Sequence, residues 1–107
     1  MSYLFSECYE LKEIKGINKF NTNKVTNMCA MFQTCKELEC IDLSNFDTSN
    51  VIDMSFMFNE CNNLKYLNIL NFYVNDITEE MFYNTPKNGC ELITDNQNLY
   101  ELFKSSN

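Results

Sequence analysis

Apolar residues recur along the chain in a template that can be laid over itself three times. In the clearest copy the apolar positions are Leu38, Ile41, Leu43 and Phe46. A polar run follows (Asp47, Thr48, Ser49, Asn50), and then Val51, Met54, Met57, Phe58 and Cys61. Ile41 and Leu43 alternate with Cys40 and Asp42, the period of a short strand with one buried face. Met54, Met57, Phe58 and Cys61 fall at i, i+3, i+4 and i+7, which predicts one stripe of a short helix. Asp53 stands just ahead of that stripe, where its carboxylate can accept from the free N–H groups of a first turn. The unit is therefore expected to run strand, turn, short helix.

The preceding residues carry the same template at Leu11, Ile14, Ile17, Phe20, Val25, Met28, Met31, Phe32 and Cys35, with one extra residue at Gly16 that a bulge in a strand over 11–17 would accommodate. Thr26 or Asn27 is placed to cap the helix expected from Met28. The following copy runs through Leu64, Leu67, Ile69, Phe72, Ile77, Met81 and Phe82, with Thr78 as its cap and Thr85 where the cysteine would fall. Cys8, Cys35 and Cys61 are 27 and 26 residues apart. A unit this short cannot bury its own apolar face, so repetition at this period predicts stacked coils. Phe20, Phe46 and Phe72, at equivalent places, are expected to stack as an aromatic spine.

Pro86 and the pair Asn88 and Gly89 interrupt the pattern. Leu92 and Ile93 then read as a last short strand. Asp95 reads as the cap of a final helix bearing Leu99, Leu102 and Phe103, a lid of the kind that stacked coils need at their ends. One repeat domain over 1–107 is predicted, with units about 1–27, 28–53 and 54–80 and a C-terminal cap about 81–107. Met1 falls on the template position of Met28 and Met54, so the chain is expected to start inside a unit. That would leave the Met1 to Ile17 edge open and favour weak self-association there, or else upstream coils that normally cover it are missing from the sequence.

Composition narrows the function. Of 107 residues, 45% are apolar and 21% charged, which describes a folded domain and not a disordered tail. The formal net charge is −7, from 15 acidic and 8 basic residues. That balance excludes a nucleic-acid partner, whose phosphates require a basic face. The sequence has no histidine and no arginine, so it lacks the commonest general base and the usual bidentate clamp for phosphate or carboxylate. No enzymatic activity, cofactor or metal is expected. No apolar run approaches the roughly 20 residues that span a bilayer, and no basic segment followed by an apolar core opens the chain.

At the residues 38–61 the chain resembles the BspA-like leucine-rich-repeat surface proteins. It resembles the branch whose units read Leu-x-x-Ile-Asp-Leu-Ser-Asn-Phe-Asp-Thr-Ser-Asn-Val-x-Asp-Met-Ser-x-Met-Phe-x-x-Cys, and looser copies run from about Met1 to Phe82. The resemblance implies an α/β leucine-rich-repeat solenoid of about three coils. It would have a short parallel sheet on the concave side, short helices on the other side and a C-terminal capping helix. It implies a protein partner or a host or cell-surface ligand, in recognition or adhesion at a cell surface or outside the cell. A purely structural segment of a longer scaffold, with no ligand of its own, is the competing reading.

Strand alternation assigns Glu13 and Lys15, Cys40 and Asp42, and Tyr66 and Asn68 to the outward face of the sheet, and this row is the candidate partner-binding surface. The competing reading is a merely solvated face. Cys8, Cys35 and Cys61 lie on the apolar stripe and read as a ladder of small core residues, with disulfides between coils as the alternative. The Asp47 to Asn50 turn lacks the glycine and terminal glutamate of a calcium loop.

Overall fold

The structure is a computed structural model that describes residues 1–73 and 78–106. Ile77, one of the template positions, lies outside the described residues. Three short strands form a parallel sheet in chain order: β1 (Cys40–Asp42), β2 (Tyr66–Asn68) and β3 (Glu91–Ile93). Cys40 faces Tyr66, which faces Glu91; Ile41 faces Leu67 and Leu92; Asp42 faces Asn68 and Ile93. Leu43 and Ile69, next after β1 and β2, still donate to the Asn68 and Ile93 carbonyls at 2.8 and 2.9 Å, and the chain turns immediately after them. Asp42 Oδ1 accepts from the N–H and hydroxyl of Ser44, and Asn68 Oδ1 accepts from the N–H of Leu70. Short polar side chains that bond the backbone two residues on are turn formers. The central unit uses the same device three times, since Asp47 binds Ser49 and Asp53 binds Ser55 as Asp42 binds Ser44, at 2.6 to 3.0 Å.

The residues expected to form short helices do not. Residues 2–7, 29–34, 55–60 and 79–84 are runs of consecutive turns, and each run contains two residues in the left-handed region. These are Tyr3 and Glu7, Ala30 and Thr34, Phe56 and Glu60, and Glu80 and Asn84, with φ between 49° and 60°. Each such residue costs on the order of 1–3 kcal/mol. What offsets the cost is a ladder of hydrogen bonds between runs. The N–H groups of residues 3, 5 and 7 reach the carbonyls of 29, 31 and 33. Those of 30, 32 and 34 reach 55, 57 and 59, and those of 56, 58 and 60 reach 79, 81 and 83, all at 2.7 to 3.0 Å. A helix would have turned these N–H groups inward onto its own carbonyls and held its neighbour about 8–10 Å away.

Both arrangements bury the same stripe. Met28, Met31, Phe32 and Cys35, then Met54, Met57, Phe58 and Cys61, then Met81 and Phe82 are all buried. They meet Ile41, Leu67, Leu38, Leu64, Leu43 and Ile69 in one core between the sheet and the turns. The aromatic stack runs through a different position from the one expected. Phe5, Phe32, Phe58 and Phe82 stack with centroids 5.6, 5.6 and 5.8 Å apart and planes within 5° of parallel, and Phe103 closes the stack edge-on at 5.3 Å. Phe46 and Phe72 are buried, but Phe20 is 36% exposed and leans on Phe5 at 6.3 Å. Phe46 and Phe72 each follow a strand of the sheet, whereas Phe20 follows residues that form none.

That segment corrects a second expectation. Residues 11–14 form no strand, and Gly16 is no bulge. Its φ of 79° starts a 3₁₀ turn over Ile17–Lys19, which swings Ile17 into the core at 4% exposure. The link to β1 is a hydrogen bond from Glu39 N–H to the Lys12 carbonyl, 3.0 Å. The C-terminal helix, α1 (Gln97–Ser105), forms where its stripe predicts, with Leu99 and Phe103 buried and Leu102 half-buried. Its cap is Asn96, whose side chain accepts from the Leu99 N–H at 3.0 Å, and not Asp95.

Candidate functional site

β1 and β2 set four of the six candidate residues side by side. Cys40 and Tyr66 form one rung and Asp42 and Asn68 the next, on the face opposite Ile41 and Leu67. Cys40 and Asp42 are exposed, and Tyr66 and Asn68 half-buried. Glu13 joins them. A shallow cleft of about 190 Å³ is lined by Glu13, Ile14, Ile17, Asn18, Cys40, Ile41, Asp42 and Asn45. Lys15 is exposed but does not line that cleft.

The third strand completes both rungs with residues that the sequence reading left out. Glu91 stands opposite Tyr66 and Ile93 opposite Asn68. The signal for them was available, since they alternate around Leu92 as Cys40 and Asp42 alternate around Ile41. Several polar groups of this face are already engaged. Asp42 binds Ser44, and Asn68 Nδ2 donates to Tyr66 Oη at 3.3 Å. Lys65 and Glu39 approach to 3.7 Å at the rim, an exposed pair of the kind worth little. Among the described residues, the Cys40 thiol, the Lys15 ammonium group and the carboxylates of Glu13 and Glu91 on this face are left free for a ligand, with Glu91 standing opposite Tyr66.

The buried thiols have a role beyond filling space. Cys35 Sγ donates to the Phe5 carbonyl at 2.9 Å and Cys61 Sγ to the Phe32 carbonyl at 3.2 Å. Thr85, at the cysteine position of its unit, donates its hydroxyl to the Phe58 carbonyl at 3.0 Å, and Ser106 Oγ reaches the Phe82 carbonyl at 3.2 Å. All six cysteines are free thiols. Burial pushes Cys35 and Cys90 up to about 11 and raises Cys61 as well, so these three hold their protons at neutral pH and are poor nucleophiles. Among the described residues no group of three or more Cys, Asp or Glu gathers as metal ligands would.

The family described as "Mycoplasma protein of unknown function, DUF285" matches residues 1–104. The chain belongs to this family. The match takes in every turn run, all three strands of the sheet and nearly all of α1. No curated protein and no solved structure matches the chain. Among the described residues of this DUF285 protein, no helix is long and apolar enough to cross a membrane.

Proposed function

We propose that this DUF285 chain is a non-catalytic recognition module, built as a short leucine-rich-repeat solenoid of the BspA-like kind, that presents its sheet face to a protein partner at a cell surface. The observation that carries this reading is the in-register row on the sheet. Cys40, Tyr66 and Glu91 stand on adjacent strands, with Glu13 across the cleft and Asp42, Asn68 and Ile93 one rung on. A tyrosine flanked by acids and one apolar side chain is a mixed surface suited to protein contact, and its acidic character favours a basic partner patch. Catalysis is not part of the reading, because no histidine is present and the buried thiols stay protonated.

One observation favours the competing structural reading. Asp42 and Asn68 already bind the turns that follow their own strands, as residues kept for the fold would. The two readings separate by cross-linking. A photoreactive group on the exposed Cys40 thiol, presented to the native cell-surface fraction, should capture a defined partner. Capture should fall at least several-fold when Tyr66→Ala and Glu91→Ala are combined. Equal capture by the wild type and that variant, at unchanged stability, would leave the purely structural reading standing.

A further inference from the structure

β1 is paired on one side only. The Glu39 carbonyl and the Leu43 N–H bond to β2, with Ile41 between them, so Cys40 and Asp42 turn their N–H and C=O groups the other way. Among the described residues those groups make no hydrogen bond. Across the cleft from them runs the segment that the 27-residue period would place as the neighbouring strand, with Glu13 opposite Cys40 and Lys15 opposite Asp42. Pairing starts there and stops. The Glu39 N–H binds the Lys12 carbonyl at 3.0 Å, yet no backbone group of Glu13, Ile14 or Lys15 is hydrogen-bonded among the described residues, because the extra residue at Gly16 draws the chain off into the 3₁₀ turn. The cleft of about 190 Å³ between the two segments is lined by the buried Ile17 and Ile41, and its ionisable side chains are Glu13, Cys40 and Asp42. Both of its walls are internal segments of the chain.

We infer that the outer edge of β1 is a site of strand addition for an extended, basic segment of a partner protein. The segment's main chain pairs with the free N–H and C=O groups of Cys40 and Asp42, and one of its lysine side chains meets the Glu13 and Asp42 carboxylates. An unpaired strand edge is a template for a further strand. Main-chain pairing is blind to sequence, so the acids choose the partner. Neither carboxylate has an ion-pair partner among the described residues, and no cation lines the cleft. Its volume lies below the roughly 300 Å³ at which small-molecule pockets begin, which suits one side chain of a passing segment better than a whole ligand. A second copy of this chain is a poor occupant, since each copy carries a net charge of −7. The inference rests on the proposed reading of the sheet as the recognition surface and adds that the partner is held through its main chain at the edge.

The test uses the whole protein and one probe, the capped peptide acetyl-Lys-Val-Thr-Val-Thr-Lys-amide, whose β-branched residues favour an extended chain. Amide hydrogen exchange read by NMR reports the pairing directly. At a peptide concentration about ten times its dissociation constant, exchange at the Cys40 and Asp42 N–H groups should slow about tenfold. N-methylation of every second peptide residue should abolish that protection in one phase and spare it in the other, since alternate N–H groups of a strand face opposite ways. Glu13→Gln in the protein should weaken binding several-fold. No slowing at about 1 mM peptide, the weak limit of specific binding, would overturn the inference, and so would two methylated peptides that act alike or equal binding by Glu13→Gln and the wild type. Shifts of the Tyr66 and Glu91 signals with the Cys40 and Asp42 amides left unprotected would keep the sheet face as the recognition surface and overturn strand addition.

Discussion

The strand side and the turn side of the molecule solve the same problem in different ways. Both bring successive units within backbone hydrogen-bonding distance. The strands use ordinary extended backbone and leave one face open, whereas the turns use eight left-handed residues and a closed ring stack. The strand side can therefore vary its outward residues freely. The turn side cannot, because its rings, thiols and carbonyls each contact the unit before and after. On the proposed function, this difference would put recognition on the sheet and stability on the turns.

Removing a ring should show the contrast most strongly. Phe58 is fully buried between Phe32 and Phe82, so Phe58→Ala should cost about 3–5 kcal/mol in chemical denaturation, the range for a buried aromatic. An unchanged midpoint would remove the stack from any part in stability. The donor ladder should follow. Thr85→Val keeps the shape and loses the bond to the Phe58 carbonyl, with an expected cost of about 0.5–1.5 kcal/mol. Thr85→Cys should restore most of it, since Cys61 and Cys35 make the same bond.

A third substitution distinguishes turns from helices directly. In a helix Glu60→Gly would destabilise by about 1 kcal/mol. At a φ of 60° glycine relieves strain, so the variant should be neutral or gain up to about 1 kcal/mol after its greater unfolded-state freedom is allowed for. A clear loss would favour the helix.

Alkaline titration should single out the buried thiols. Burial raises Cys35 from its ordinary 9.0 to about 11, so the folded chain keeps that proton after the unfolded chain has released it. The stabilising difference is complete below about pH 9 and is lost as pH rises toward about 11. The urea midpoint should fall across that window, and less steeply in Cys35→Ala. Smallest of all should be Cys40→Ser and Glu91→Gln on the open sheet face, each expected within about 0.5 kcal/mol of wild type. A larger loss there would mean that the face is already committed to the fold.

Much of this contrast was legible in the residues. The 26–27 residue period matches the spacing of the first three turn runs, the alternation around Ile41 and Leu67 located two strands, and the stripe named the buried side chains. The stripe misled about the element, because consecutive four-residue turns place residues i, i+3, i+4 and i+7 on one side just as a helix does. Composition held a partial warning. Residues 54–61 are rich in Ser, Phe, Asn and Cys, which are indifferent helix formers. The choice between Phe46 and Phe58 as the stacking position was not legible, since it depends on which side of the unit holds the closest coil spacing. Nor was Asn96 as the cap of α1, one residue beyond an equally suitable Asp95. On the sheet face, Glu91 and Ile93 were within reach of the same alternation rule that selected Cys40 and Asp42.

The turn ladder also fixes a shape. Where helices back a sheet, the backing is wider than the front, and an extended array bends into a horseshoe. Here direct backbone hydrogen bonds of 2.7 to 3.0 Å join successive coils on the turn side, and the stacked rings there are 5.6 to 5.8 Å apart, close to the roughly 4.8 Å between strands. Front and back thus advance at nearly the same rate. If the proposed solenoid were lengthened by further units, it would grow as an almost straight rod by about 5 Å per coil, and on the proposed function it would meet a partner along a flat strip.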